Sequence, residues 1–335
     1  MNPLVSVITI LLLSLVLIKA ADSVVVAIRR LTRITNLSGY AVSAIILALA
    51  TSLPELFVGV TSALSGASSL SLGNIVGANI ANITLIVGLA GFFGGAINIK
   101  DEKFLNQELP LALFAGLAPI ILLWDRELSR TDGLILLMLY GLYASGLFHR
   151  GFLAVGRHHQ KENELHKLFV EIEEDTGHIR WELARFFISA AALLVSADFI
   201  VRLSSGLASS MGMPLFVVGL LIISLGTTLP ELAFSYETIR RGQPALLIGN
   251  SLGSIIANAT FILGLVAVIS PVSILHRREY LLTTIMFLVS IFFFWFFAHT
   301  KRGISRLESG LLLGIYLLFV YLQLSGFNPS VWLFR

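Results

Sequence analysis

The chain has 335 residues, of which 56% are hydrophobic and only 13% are charged, and its mean hydropathy is +0.88. Soluble domains carry about 25% charged residues, so a lipid bilayer is expected to cover this much apolar surface. The net charge of only +3 does not indicate nucleic acid as a partner, and the absence of cysteine excludes disulfides, zinc–thiolate sites and cysteine nucleophiles.

Ten apolar stretches are predicted to cross the membrane as helices, because about 20 mostly apolar residues span the hydrocarbon core. The first is interpreted as a retained helix, since it lacks a basic leader and a convincing cleavage site. The fold class is therefore predicted to be an all-α polytopic membrane protein. In chain order, the predicted spans are Leu4–Ile28, Gly39–Leu64, Leu70–Gly91, Leu109–Trp124, Gly133–Phe148, Trp181–Leu203, Pro214–Ile239, Ala245–Ile269, Tyr280–Thr300 and Leu307–Leu324.

Two breaks between the spans carry concentrated charge. One is the segment Arg150–Arg180, with several basic residues, histidines and the acidic run Glu171–Asp175; the other is the short loop Lys100–Lys103. Loops on the side of the long segment hold 16 Lys and Arg residues, and loops on the other side hold 6. By the positive-inside rule, this bias predicts a cytoplasmic linker, extracytoplasmic termini and a plasma (inner) membrane location.

Two blocks of the sequence recur 176 positions later. Leu49–Leu56 reads LATSLPEL and Leu225–Leu232 reads LGTTLPEL. Gly73–Leu89 reads GNIVGANIANITLIVGL and Gly249–Leu265 reads GNSLGSIIANATFILGL, with 10 of the 17 positions identical. One register held across separate blocks indicates a duplicated unit.

Each copy of the duplicated unit contains five predicted spans. Five is odd, so the second copy enters the membrane from the opposite side and the ten helices form two inverted five-helix repeats, an architecture found in many secondary transporters. The predicted domains are a first repeat at 1–150 with its motif at 49–89, a linker at 151–180, and a second repeat at 181–335 with its motif at 225–265.

Glu55 and Glu231 occupy matching positions deep within the second and seventh predicted spans. A carboxylate at this depth is costly unless it meets a cation, a proton or water. Each glutamate follows a proline, which removes a backbone donor and frees nearby carbonyls. Such carbonyls, hydroxyls and carboxylates form an all-oxygen site suited to hard cations such as Ca²⁺, Na⁺ and Mg²⁺. The candidate ligands beside the glutamates are Thr51, Ser52, Thr227 and Thr228.

The third and eighth spans carry Asn82 and Asn258 after glycine-rich starts that allow close helix packing. Residues four apart in a helix share a face, so Asn82 is expected beside Ala78 and Asn258 beside Ser254. The repeat symmetry predicts that both asparagines meet both glutamates around one point. The alternative is that the asparagines only hydrogen-bond between helices.

The paired motifs, SLPE and TLPE each followed by GNxxG(A/S)xxxN, resemble the alpha repeats of the cation/calcium exchanger superfamily. The nearest branch is the prokaryotic sodium/calcium exchanger-like one, often called YrbG-like, and the resemblance covers all ten spans. It implies that Glu55 and Glu231 are the principal Ca²⁺ ligands, assisted by the carbonyls of Thr51 and Thr227.

The same resemblance implies that Asn82 and Asn258 line the central site. In sodium-coupled relatives, hydroxyls at the positions of Ala78 and Ser254 help to bind Na⁺. This chain departs from them in two ways: Ala78 has no hydroxyl, and Asn258 stands where several sodium-coupled relatives have Asp. The glutamate motifs favour sodium as the counter-ion, whereas this ligand set leaves protons open.

The predicted function is therefore a secondary antiporter that exchanges Ca²⁺ for Na⁺ at a midplane site, with Ca²⁺/H⁺ exchange as the alternative. A cation channel is disfavoured by two inverted copies in one chain. An enzyme is disfavoured because no histidine falls at the centre of a predicted span. The ions are substrates and no cofactor is expected. The expected partners are metal cations and the lipid bilayer, and the oligomeric state is left open.

Overall fold

The protein folds almost entirely into helices. The structure is a computed structural model that describes residues 3–34, 52–99, 104–155, 176–240, 244–300 and 303–325. The helices before the central gap are α1 (Pro3–Ile34), α2 (Leu53–Leu64), α3 (Ser68–Ala81), α4 (Val87–Gly94), α5 (Leu109–Leu122) and α6 (Arg130–Val155). Those after it are α7 (Thr176–Met211), α8 (Leu215–Val218), α9 (Ser224–Thr227), α10 (Leu229–Arg240), α11 (Pro244–Ile256), α12 (Leu263–Ile269), α13 (Arg277–Thr300) and α14 (Arg306–Ser325).

Shorter elements interrupt or join these helices in the described ranges. The π-helical segments are Asn82–Ile86, Phe104–Glu108, Gly219–Ile223 and Ala257–Ile262, and a 3₁₀ turn covers Leu123–Asp125. Four two-residue strands are β1 (Ile97–Asn98), β2 (Glu127–Leu128), β3 (Val272–Ser273) and β4 (Gly303–Ile304). The hydrophobic pattern predicts α-helical spans only, because a π turn or a two-residue strand leaves no periodic pattern in the sequence.

Each of the ten predicted spans corresponds to a described helix, although residues 39–51 of the second span lie outside the described residues, as do 100–103 and most of the long linker. The prediction of an all-α polytopic membrane fold is confirmed. Within the described ranges, the helices that are long and apolar enough to cross a membrane are Pro3–Val24, Ser68–Gly94, Trp181–Met211, Leu215–Tyr236, Leu247–Ile269, Arg277–Thr300 and Arg306–Ser325, with shorter apolar helices at Leu53–Leu64 and Leu109–Asp125.

The helix boundaries repeat with the offset of 176 residues seen in the sequence. Helices α2 and α10 both have 12 residues and begin 176 positions apart. The π segments that follow α3 and α11 recur at equivalent places, as do the strand pairs β1–β2 and β3–β4 along the chain. The duplication therefore extends from sequence motifs to local backbone geometry.

The short strands pair between the two halves of the chain. Strand β1 pairs antiparallel with β4, and β2 pairs antiparallel with β3. Because β1 corresponds to β3 and β2 to β4 in the repeat, each pairing is the symmetry image of the other. The pairings bring together loops predicted to lie on the same side of the membrane, as two inverted repeats require.

Helix α3 packs closely against the segment formed by α8 and the following π turn. A Cβ atom on Gly73 would collide with the backbone oxygen of Phe216, and one on Gly219 would collide with that of Leu70. Only glycine allows backbone-to-backbone contact of this kind. This glycine joint fixes a helix of the first repeat against a helix of the second.

The glycine joint predicts a specific cost for Gly73→Ala. A methyl group forced against the backbone of α8 overpacks the core, so the variant should lose about 1–3 kcal/mol of stability. The matched control is Gly141→Ala in α6, where a Cβ meets no described atom within 4 Å. That change should be neutral, or stabilising by up to about 1 kcal/mol, through helix propensity. Thermal unfolding in detergent measures both, and equal midpoints would contradict the tight joint.

Candidate functional site

A helix begins at matching places in the two repeats, α2 at Leu53 and α10 at Leu229. Thr228, between α9 and α10, has φ −85° and ψ 0°, and Ser52, just before α2, has φ −91° and ψ 9°. Each residue precedes a Leu-Pro-Glu triplet, in which Pro54 or Pro230 has no N–H to donate to the preceding turn. The proline therefore begins a new helix and places the glutamate that follows it in the first turn.

Glu55 and Glu231 are completely buried, each with 0% exposure. The two carboxylates lie close enough to repel each other when both are ionised. Among the described residues, none of their four oxygens has a hydrogen-bond partner. An ionised carboxylate buried without a partner is costly. The described chain contains no group of three or more His, Asp or Glu side chains able to hold a metal, so a cation between these two would also need neutral oxygens.

Thr227 connects the two repeats at this point. Its side chain lies beside Glu55, and its hydroxyl is directed to Asn74 Oδ1 at 3.1 Å and to the carbonyl of Ser224 at 3.3 Å. A hydroxyl has one proton and two acceptor lone pairs. Because its oxygen carries two lone pairs besides the single proton, Thr227 can serve as a ligand for a cation bound to that carboxylate.

Asn82 and Asn258 are also fully buried, and each lies in the π segment that follows a glycine-rich helix. The segment with Asn82 contacts α10, the helix of Glu231, and the segment with Asn258 contacts α2, the helix of Glu55. Asn258 Nδ2 donates to Asn79 Oδ1 at 3.2 Å. The π segment with the asparagine of one repeat thus contacts the helix with the glutamate of the other repeat.

The remaining predicted ligands have different surroundings. Ser254 is buried beside Glu231. Ser52 is buried, and its hydroxyl has no partner among the described residues. The Thr228 hydroxyl donates to a backbone carbonyl one turn earlier at 2.8 Å, which commits its proton to its own helix. Thr51 lies outside the described residues. A role in ion binding stays a prediction for every residue of this set.

Sequence reasoning did not single out Asn74 or Asn79 as contributors to the site. The repeat could have indicated Asn74, because the second motif also has an asparagine, Asn250, 176 positions later. The repeat could not have indicated Asn79, since its counterpart in the second motif is Ile255. The π turns were also missed. They insert an extra residue into the helical turn at the asparagines, a feature that is frequent at functional sites.

Comparison with known proteins places the chain among membrane exchangers. The sequence profile of the family described as "Sodium/calcium exchanger protein" matches residues 5–148 and 181–325. The inner membrane protein YrbG of Escherichia coli (strain K12) is 31% identical over 284 residues, covering 83% of this chain and 84% of YrbG. The putative antiporter CaxA of Alkalimonas amylolytica is 29% identical, covering 96% of this chain and 100% of CaxA.

Two further relatives extend the comparison. The sodium/calcium exchanger MaX1 of Methanosarcina acetivorans is 28% identical, covering 93% of this chain and 96% of MaX1. The solved structure of the sodium-calcium exchanger NCX_Mj soaked with 100 mM Na⁺ and 10 mM Sr²⁺ superimposes with a TM-score of 0.60 at 24% identity, covering 95% of this chain and 98% of that one. These matches agree with the predicted resemblance and with a shared fold.

The buried carboxylate pair predicts stabilisation by a divalent cation. Ca²⁺ at about 100 times its dissociation constant should stabilise the folded protein by about 2.7 kcal/mol. Glu231→Gln should lose most of this stabilisation, because a neutral amide replaces a charged ligand. The matched control is Glu182→Gln, which changes another buried glutamate near the start of α7. Melting temperatures in detergent with and without Ca²⁺ measure the shift, and an equal shift in both variants would contradict the prediction.

Proposed function

We propose that this chain, which belongs to the sodium/calcium exchanger protein family, is an antiporter that exchanges Ca²⁺ for Na⁺ across the membrane by alternating access. One observation carries the proposal: each repeat contributes one fully buried carboxylate, and Glu55 and Glu231 lie close enough for their charges to interact. The relatives support it, since MaX1 is described as a sodium/calcium exchanger and CaxA as a putative antiporter.

The charge of the site explains why transport would be coupled. Two ionised carboxylates carry −2, which one Ca²⁺, two Na⁺ or two protons neutralise. An empty site would keep −2 in a medium of low dielectric constant, where uncompensated charge is expensive. Only loaded forms would then pass through the occluded state. Obligatory exchange of Ca²⁺ in one direction for Na⁺ or protons in the other follows from this restriction, without a separate coupling device.

The donor set supports a hard cation as the substrate. Ca²⁺ prefers six to eight oxygen ligands at flexible distances, and soft metals prefer thiolate or imidazole. The groups that we propose as ligands are all oxygens, from carboxylates, hydroxyls, amides and backbone carbonyls. They belong to Glu55, Glu231, Thr227, Thr51, Ser52, Thr228, Ser254, Asn82 and Asn258.

Ca²⁺/H⁺ exchange is the second candidate, and one feature of the site favours it. Ala78 is fully buried at the place where the second repeat has Ser254, so the first repeat lacks the matching hydroxyl. Sodium needs neutral oxygens in addition to charge, whereas a proton needs only the carboxylates. The two candidates differ in the ion gradient that drives Ca²⁺.

The membrane orientation is part of the proposal. Several described helices are long and apolar enough to span a bilayer, and YrbG is described as an inner membrane protein. We place the segment between the repeats in the cytoplasm and both termini outside, because 16 of the Lys and Arg residues lie in loops on the side of that segment.

Helices α1 and α7 are proposed to move as one layer. They pack against each other along their length, and Arg185 Nε donates to Ser23 Oγ across the pair at 3.0 Å. The remaining helices form the bundle that holds the site, fixed by the glycine joint between α3 and α8. Sliding of the α1–α7 layer over this bundle would expose the site to each side in turn.

Ca²⁺ uptake into proteoliposomes tests the exchange function. Outward Na⁺ and H⁺ gradients are imposed separately on the wild type and on Glu55→Gln. Uptake with the Na⁺ gradient should appear in the wild type and fall at least about tenfold in the variant, since loss of a buried charged partner costs about 2–5 kcal/mol. Uptake with the H⁺ gradient alone would establish the second candidate. Failure under both gradients would refute both exchange proposals.

Cross-linking tests the moving layer in a chain that has no natural cysteine. Ser14 on α1 lies against Gly226 on α9, so closely that the two helices must shift slightly to accept Ser14→Cys and Gly226→Cys. Transport by the reduced double variant is therefore the baseline, and formation of the disulfide should stop that transport until it is reduced again. The control is Ser68→Cys with Ser270→Cys, two positions within the bundle whose hydroxyls are 2.7 Å apart. That disulfide should leave transport intact. Full transport by the oxidised first pair would contradict a sliding layer.

A further inference from the structure

The two buried asparagines of the site are held in different ways. Asn258 donates from Nδ2 to Asn79 Oδ1 at 3.2 Å, and its own Oδ1 has no partner in the part of the chain that the structure describes. Asn82 has no partner at either amide atom within the same ranges. The position equivalent to Asn79 in the second repeat is Ile255, whose side chain cannot accept a hydrogen bond. The repeat symmetry is therefore broken at this contact.

Asn79 is a buried residue on a closely packed helix. It is 2% exposed and lies on α3, the helix held against the second repeat by the glycine joint at Gly73 and Gly219. Helix α3 contacts the π segment that contains Asn258. A side chain of the first repeat thus reaches across to an amide in the second, from a helix packed backbone to backbone against that repeat.

The chemistry of an amide makes this contact directional. A primary amide has an oxygen that binds cations and an NH₂ group that does not, and a half-turn about the last side-chain bond exchanges them. With Asn79 Oδ1 as the acceptor, the hydrogen bond from Nδ2 holds Asn258 in one of the two orientations. In that orientation, the Asn258 oxygen is the atom left without a protein partner, in a segment that contacts the helix of Glu55.

We propose that Asn79 is a positioning residue that holds the Asn258 amide with its oxygen turned towards the transported cation. The proposal deepens, and rests on, the exchange function proposed above. Asn258 then offers a preset oxygen ligand, whereas Asn82 adjusts its amide to the ion that is present. The two halves of a pseudo-symmetric site contribute unequally, and the inequality arises from one residue outside the ligand set.

Equilibrium Ca²⁺ binding to the purified full chain in detergent provides the test, with radioactive Ca²⁺ as the probe. Asn79→Ile copies the residue found at the equivalent place in the second repeat. It should weaken Ca²⁺ binding about tenfold or more, the usual effect of removing a group that orients a metal ligand. In proteoliposomes, the KM for Ca²⁺ should rise by a similar factor while the maximal rate changes less than twofold.

The same substitution in an Asn258→Asp background separates positioning from a general structural role. A carboxylate presents an oxygen in either orientation, so it does not need Asn79 to orient it. In this background, Asn79→Ile should change Ca²⁺ binding by less than about twofold. If Asn79→Ile does not give monodisperse protein, Asn79→Ser replaces it in both backgrounds, because its shorter side chain cannot reach Asn258.

Two results would overturn the positioning role: unchanged Ca²⁺ binding in Asn79→Ile, or equal weakening in both backgrounds. These outcomes are distinct from failure of the exchange function. A wild-type protein that binds Ca²⁺ but transports none under either gradient would refute exchange, and the binding comparison between backgrounds would still decide the role of Asn79.

Discussion

Two carboxylates buried together in a membrane-embedded bundle form the constraint on which the rest of this protein depends. Glu55 and Glu231 have no access to solvent and no hydrogen-bond partner among the described residues. The surrounding medium makes their charge costly, so the site gains most by accepting cations. In the proposed function, the same cost opposes the change of access when no ion is bound. Ion binding and coupling between ions therefore have one physical origin in the proposed function.

The backbone around the carboxylates is arranged to meet this constraint. Helix α2 begins after Ser52 and helix α10 begins after Thr228, so that each glutamate lies in a first helical turn. Helix N-termini carry a partial positive charge that favours a nearby anion. The glycine joint between α3 and α8 then brings the two repeats close enough for Thr227 to reach both Glu55 and Asn74.

The duplicated sequence gives the site matching backbone elements in both repeats, and substitutions between the repeats make its side chains unequal. Matching helix starts, prolines and π segments give each half the same backbone arrangement. The differences are small and local: Ala78 is equivalent to Ser254 in the second repeat, and Asn79 is equivalent to Ile255. In the proposed function, these unequal side chains on a two-fold symmetric backbone let one site accept ions of different size and charge.

The sequence by itself determined the membrane class, the spans, the repeat and the two glutamates, because apolar length, a fixed offset and a carboxylate inside an apolar stretch are local or self-similar signals. It also identified the family, through motifs that survive in both copies. Only the tertiary structure decided which side chains hydrogen-bond to the neutral groups beside the glutamates. The contacts Thr227–Asn74 and Asn258–Asn79 join residues 153 and 179 positions apart, and they depend on how two inverted halves pack. No periodicity in the sequence encodes such a contact. The second repeat has Ile255 at the position equivalent to Asn79, so only the packed structure reveals the amide that contacts Asn258.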